Sequence, residues 1–93
     1  SLANRKIKLE KADSMITTAL RLEPSNPFYL DTKAWILYGK EKFEQALKIL
    51  NKCMQLDPKG KEYYTHAIAC YVALENTNMA NEMQQKLDKL KNE

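Results

Sequence analysis

The chain has 93 residues, 44% of them hydrophobic and 29% charged, which suits one small domain with a single core. With two glycines and three prolines, the composition excludes disordered and collagen-like classes and favours helices. Fifteen basic and twelve acidic residues are mixed along the chain and leave a net charge of +3, a pattern typical of a solvated surface rather than of a nucleic-acid-binding face. The mixed charges therefore predict no nucleic-acid partner. No apolar run reaches about 18 residues, so membrane insertion is not predicted either.

Helical periodicity and turn residues divide the chain into five predicted helices. Proline lacks the amide hydrogen and disfavours helical geometry in the residue before it, so Pro24 and Pro58 mark two helix ends. Asn26 is predicted to cap the next helix, with Pro27 in its first turn. In chain order, the predicted helices span residues 3–22, 27–39, 42–56, 60–74 and 78–91.

The sequence repeats itself with a period of 34 residues. The stretch "LEPSN" at 22–26 is echoed by "LDPKG" at 56–60. When the chain is shifted by 34, nine or more positions agree in apolar or small character, which indicates an internal repeat. The clearest aligned sets are Ala12, Ala46 and Ala80; Leu22, Leu56 and Leu90; and Met15, Ile49 and Met83.

Two helices per 34 residues, followed by a proline-containing turn, resemble the tetratricopeptide repeat (TPR) family. The resemblance covers essentially the whole chain and implies an all-α, TPR-type solenoid of antiparallel helix pairs, with about two and a half repeats in one domain. Residues 1–24 would be the second helix of a truncated repeat, residues 27–60 a full repeat, and residues 61–93 a last repeat with a capping helix. In the central unit the matching residues are Leu30, Ala34, Leu37, Phe43, Ala46, Leu50, Cys53, Leu56 and Pro58.

A narrower resemblance lies in "YLDTKAWILY", residues 29–38. It is similar to a bacterial TPR variant that often occurs late in long arrays, which implies the C-terminal part of a longer bacterial protein. Four positions depart from the family pattern. Lys33 stands where a leucine is usual, and Glu41 and Glu75 stand where a glycine usually separates the paired helices. Thr77 stands where an aromatic residue or a leucine is usual.

The two ends of the chain differ in the polarity of their outer faces. Gln84 and Asp88 occupy positions where earlier helices carry apolar residues, which predicts an exposed capping helix. The first helix lacks its usual partner helix, so we expect its apolar face to be partly uncovered and the native protein to be longer at its N-terminus. This face would allow self-association as a homo-dimer. It consists of Leu9, Met15, Ile16 and Leu20.

The side of helix 2 opposite its core stripe is the predicted binding surface. At 100° per residue, Trp35 points about 140° away from Leu30 in the core stripe. In TPR proteins this side of each first helix lines a concave groove, so the resemblance implies a scaffold that binds a partner protein or peptide there. The groove residues would be Phe28, Asp31, Thr32, Trp35, Tyr38, Glu62, Thr65, His66, Ala69 and Ala73. The alternative is that Trp35 packs against a neighbouring helix, since a lone tryptophan is usually largely buried.

Two charge patterns bear on the partner. Asp31 and Glu62 in the predicted groove favour a basic or amide-donating segment, and the Lys, Arg and Asn clamp that some TPRs use for a terminal carboxylate is missing there. The basic run "NRKIKLEK" at 4–11 allows contact with an anionic partner. Glu10 and Asp13 interrupt this run, which favours a solvated helix end instead.

His66, Cys70 and Cys53 form an alternative candidate site for a metal or for redox chemistry, because His66 and Cys70 stand four residues apart on one helix. No fourth ligand is evident, so we favour two cysteines buried in the core. With one histidine and no nucleophile or phosphate-binding motif, neither an enzyme nor a cofactor is predicted. The two cysteines fit the reducing cytoplasm, while a bacterial cell-envelope location stays open for the parent protein.

Overall fold

A computed structural model describes residues 1–93 and contains five α-helices with no strands. Every helix begins and ends within one residue of the predicted bounds, so the all-α prediction is confirmed. None of the helices is both long and apolar enough to cross a membrane. In chain order the helices are α1 Leu2–Leu22, α2 Pro27–Gly39, α3 Phe43–Leu56, α4 Lys61–Ala73 and α5 Thr77–Lys91.

The helices pack in the order in which they occur along the chain. Each of α1 to α4 contacts the helix that follows it, and the one other helix contact joins α2 to α4. The molecule measures 38 × 30 × 18 Å, so its thinnest dimension is about two helix diameters of roughly 10 Å. Packing dominated by sequential neighbours is typical of repeat proteins, in which each unit contacts mainly the next.

Helices α2 and α3 form one antiparallel pair and α4 and α5 another, and the turns within these two pairs share one backbone conformation. The amide of Lys42 donates to the carbonyl of Leu37 at 2.8 Å, and 34 residues later the amide of Asn76 donates to the carbonyl of Tyr71 at 2.9 Å. Glu41 and Glu75 lie in these turns with φ angles of 61° and 57°, in the left-handed region that glycine adopts most easily. The two positions therefore keep the backbone of a glycine turn although they carry glutamate.

The turns between the pairs are closed by different side chains. Asn26 caps α2 as predicted, because its side-chain oxygen accepts from the amides of Phe28 at 2.9 Å and Tyr29 at 3.2 Å. Gly60 at the equivalent place has no side chain to cap α4. A Cβ there would lie 2.2 Å from the Tyr63 ring, whose hydroxyl donates to Asp57 at 2.9 Å. Gly60 thus makes room for the tyrosine that closes this turn.

One hydrophobic core runs through α2, α3, α4 and α5. The predicted core stripe of α2, formed by Leu30, Ala34 and Leu37, is buried, which confirms that part of the prediction. Alanines contribute because a small side chain lets paired helices approach closely. The main cluster is Leu30, Ala34, Leu37, Ala46, Leu47, Leu50, Cys53, Tyr63, Ala67, Cys70 and Met83.

The apolar face of α1 is more covered than the sequence predicts. Ile16 is only 8% exposed, and α2 is the one helix that contacts α1, so the expectation of an uncovered Ile16 is wrong. Leu9 and Leu20 are half-buried. These two residues fit the predicted partly uncovered face, and Met15, at 75% exposed, is the most open of the four. The close approach of α1 to α2 explains the difference, since one neighbouring helix suffices to cover this side of α1.

The last helix has the polarity that the sequence predicts. Ala80, Met83 and Leu87 are buried, while Gln84 and Asp88 are exposed and hydrogen-bond to each other at 2.9 Å between Nε2 and Oδ1. The outer face of α5 therefore carries exposed polar side chains, as expected of a capping helix.

Candidate functional site

The structure places Trp35 on the surface rather than in the core. Its neighbours in sequence, Ala34 and Ile36, are buried, but Trp35 itself is 43% exposed. The helical period accounts for this, because Trp35 points away from the side of α2 that packs on α3. The expected alternative, a tryptophan largely buried against a neighbouring helix, does not describe the position, although Trp35 does contact α4 through His66.

Two rings stack on the Trp35 indole. Tyr38, one turn further along α2, has its ring centroid 4.5 Å from that of Trp35, with an angle of 2° between the planes. His66 reaches across from α4, at 4.2 Å and 22°. Aromatic contacts of this kind contribute about 0.5–1.5 kcal/mol beyond the area they bury. The indole is therefore held in place by both helices while part of it stays accessible.

Asp31 fixes the orientation of His66. Nδ1 of His66 lies 2.7 Å from Oδ1 of Asp31, and both side chains are largely buried. The short distance fits an Nδ1–H that donates to the carboxylate, which leaves Nε2 without a partner in the protein. Asp31 is thus engaged within the molecule, and the exposed acidic side chain among the candidate residues is Glu62.

The structure brings four of the ten candidate residues into direct contact: Asp31, Trp35, Tyr38 and His66. We call these four residues the aromatic cluster. The remaining candidates also lie on α2 and α4 but neither hydrogen-bond to nor stack on the cluster. Ala69 is half-buried, and the other five are exposed: Phe28, Thr32, Glu62, Thr65 and Ala73.

Sequence reasoning missed one neighbour of the cluster. Phe43, identified in the sequence only as a match to the repeat pattern, meets Tyr38 edge-on, with ring centroids 5.4 Å apart and an angle of 62°. The tight turn between α2 and α3 brings the two rings together. The left-handed position of this turn carries Glu41 instead of glycine, so the sequence contains no glycine signal from which the turn geometry could be predicted.

The cysteines do not form a site with His66. Cys53 and Cys70 are fully buried, and burial raises the pKa of each thiol to about 11, because the thiolate is poorly solvated there. His66 Nδ1 is bound to Asp31. No group of three His, Cys, Asp or Glu side chains has the arrangement of a metal site. The geometry therefore gives the metal or redox alternative no support.

Comparison of the chain with models of protein families and with curated proteins returned no match in either case.

Proposed function

We propose that the chain is a TPR-type solenoid with two and a half repeats. The proposal is supported by the 34-residue period of the sequence, by the equal backbone geometry at Glu41 and Glu75, and by the sequential packing of the helices. The contact between α2 and α4 adds to this support, since α1, α3 and α5 do not contact one another. Helices that approach each other lie on the inner side of a curved stack, so α2 and α4 form the concave side.

The function proposed for this domain is binding of a peptide segment of a partner protein, without a cofactor or catalysis. The observation that carries it is the exposed Trp35 indole, held between helices by Tyr38 and His66. Exposed tryptophans and tyrosines supply much of the binding energy at protein interfaces, because they bury a large area at a low cost in side-chain entropy. Stacking restricts Trp35 before any partner arrives, which lowers that cost further.

The polar groups around the indole indicate the chemistry of the partner. Glu62 is exposed and its carboxylate can accept hydrogen bonds. In the neutral imidazole whose Nδ1–H donates to Asp31, the Nε2 atom of His66 is a second acceptor. A segment with an apolar or aromatic side chain and nearby amide or basic donors fits this arrangement. It would lay the apolar group on Trp35 and direct its donors to α4.

The test uses the fact that Trp35 is the single tryptophan of the chain. Peptides are selected from a random displayed library on the wild-type protein, and their binding is followed by the intrinsic fluorescence of Trp35. We expect the enriched peptides to shift the fluorescence emission of Trp35. Calorimetry should show that they bind Trp35→Ala at least about tenfold more weakly, since an interface tryptophan commonly contributes roughly 2 kcal/mol or more to the binding free energy.

The matched control is Met15→Ala, which removes an exposed apolar side chain from α1, outside the proposed surface. Peptide affinity should be unchanged in this variant. Enriched peptides that bind wild type and Trp35→Ala equally well, or a library that yields no enriched peptide, would contradict the proposed function.

A second candidate function is self-association through α1. Three exposed apolar side chains, Ile7, Met15 and Leu22, lie within an arc of about 80° on the outer side of this helix. Such a stripe is costly in water and is removed by pairing with a second copy. The stripe differs from the face expected from the sequence, because Ile16 is covered by α2 and Ile7 and Leu22 take its place.

A further inference from the structure

We infer that a cleft between α1 and the turn from α2 to α3 binds an acidic, partly apolar segment of a partner protein. The cleft has a volume of about 610 Å³. One wall is the first half of α1, and the other is the end of α2 with the start of α3. It borders the aromatic cluster, because Tyr38 belongs to both, but none of its basic residues is part of that cluster.

Unpaired positive charge is the first feature of the cleft. Arg5, Lys6 and Lys42 line it, are exposed, and form no ion pair in the structure. Of the two acids in the lining, Glu10 is already bound to Lys40 at 3.0 Å, which leaves Glu41 as the unpaired one. The uncompensated charge is therefore positive, and an anionic ligand is the complementary one.

The second feature is an apolar part of the lining. Leu2, Leu9 and Phe43 supply it, and Leu2 is 85% exposed. Leu9 reaches the backbone of α2 because Gly39 has no side chain, since a Cβ there would lie 2.8 Å from Leu9 Cδ2. Carboxylates alone would leave these apolar surfaces in water, so a ligand that carries both carboxylates and apolar side chains fits better.

The walls of the cleft are tied together by ion pairs. Lys40 on the turn binds Asp13 at 2.8 Å and Glu10 at 3.0 Å, both on α1, and Lys33 on α2 also binds Asp13. The pairs hold α1 against α2, so the cleft is present before a ligand binds. A preformed cleft keeps the ordering cost of binding low.

An acidic peptide is favoured over a nucleic acid for two reasons. Three unpaired cations give few phosphate contacts, and the affinity of nucleic-acid binders depends on the number of such contacts. The apolar lining, in addition, matches leucine-like side chains rather than a sugar–phosphate backbone. The basic and apolar residues of the cleft do not include Trp35, so the cleft and the aromatic cluster can be tested independently.

The test is fluorescence anisotropy with a labelled hexapeptide that alternates glutamate and leucine and has blocked ends. We compare the wild type with a cleft variant, Arg5→Gln with Lys6→Gln and Lys42→Gln. The matched control is Lys52→Gln with Lys89→Gln and Lys91→Gln, which removes three exposed charges elsewhere. The cleft variant should bind at least about tenfold more weakly, and the control less than about twofold, since exposed charge contacts are individually modest but add up at one site.

Amide chemical shifts give a second measurement. The peptide should perturb residues 2–9 and 38–43, and a hexapeptide of glutamine and leucine should bind markedly more weakly. The substituted side chains have no partners, so both variants should keep the wild-type melting temperature, and Lys42→Glu provides a single substitution with the same expected direction. No measurable peptide binding, equal losses in both triple variants, or tighter cleft-dependent binding of oligothymidine would each overturn the inference.

Discussion

Nδ1 of His66 on α4 lies 2.7 Å from Oδ1 of Asp31 on α2. The two residues are 35 positions apart, and their contact joins α2 to α4, two helices that are not neighbours in the chain. Because His66 also stacks on Trp35, this hydrogen bond orients a ring that supports the exposed indole. The position of the proposed binding surface thus depends on a long-range contact between α2 and α4 rather than on either helix alone.

The first prediction concerns the energetic coupling of this pair. In a double-mutant cycle with Asp31→Ala and His66→Ala, the two side chains should show a coupling free energy of about 1 kcal/mol, as expected for a partly buried hydrogen bond. Urea unfolding of the four proteins measures it. Thr65→Ala in place of His66→Ala is the control, since the Thr65 hydroxyl bonds the Lys61 carbonyl within α4. Strict additivity of Asp31→Ala and His66→Ala would show that the contact contributes nothing.

The second prediction separates a surface tryptophan from a core one. Trp35→Ala should lower the free energy of unfolding by about 1–2 kcal/mol, the loss of two aromatic contacts on a half-exposed side chain. Leu50→Ala, at a fully buried position, should cost more, about 2–5 kcal/mol, because it leaves a cavity in the core. Urea denaturation compares the two. Equal or larger losses for Trp35→Ala would identify Trp35 as a core residue and remove the main support for the binding surface.

Some of these structural features can be predicted from the sequence and others cannot. Helical periodicity together with Pro24, Asn26 and Pro58 predicts every helix to within one residue, because these signals are local. Helical spacing likewise separates Leu30 from Trp35. The Asp31–His66 bond is not predictable in this way, since it depends on how α4 is rotated and displaced relative to α2.

The same limit applies to α1 and to the cleft. Periodicity places Met15 and Ile16 side by side on the apolar face, but only the packing of α2 decides that Ile16 is covered and Met15 is not. The basic run at 4–11 is visible in the sequence. Its position opposite Lys42 depends on the close approach of Leu9 to Gly39, which a sequence pattern does not reveal.

The third prediction concerns the two left-handed glutamates. Glu41→Gly and Glu75→Gly should each stabilise the protein by up to about 1 kcal/mol, because a side chain at positive φ costs about 1–2 kcal/mol and glycine's greater freedom in the unfolded chain offsets part of the gain. Thermal and urea unfolding measure the change. Lys52→Gly, in the interior of α3, should instead destabilise by about 1 kcal/mol. A loss of stability in both turn variants would mean that the turns do not adopt this backbone.

The fourth prediction concerns acid pH. Hydrogen bonds from Lys33 and Lys40 hold the pKa of Asp13 below its ordinary value of 3.8, so the folded state favours the carboxylate. The resulting stabilisation is complete above that ordinary pKa and is lost as the pH falls through the lower folded-state value. Urea unfolding across the acid range should therefore show a gap between wild type and Asp13→Asn that narrows toward low pH. Asp88→Asn, on the outer face of α5, is the control, since Asp88 forms no ion pair.

The last prediction tests self-association through the outer side of α1. Ile7, Met15 and Leu22 are each more than half exposed, at 53%, 75% and 80%, and their burial in a dimer would release water from apolar surface. Wild-type protein should show a mass that rises with concentration in light scattering. Met15→Lys should shift this mass toward that of the monomer without loss of helical circular dichroism, because the side chain makes no contact with the core.

The control is Val72→Lys, which replaces another exposed apolar residue, on α4 and 62% exposed, and should leave the association unchanged if α1 is the interface. A wild-type protein that stays monomeric at every concentration would exclude this second function, and an effect of Val72→Lys instead of Met15→Lys would place the interface on α4 rather than on α1.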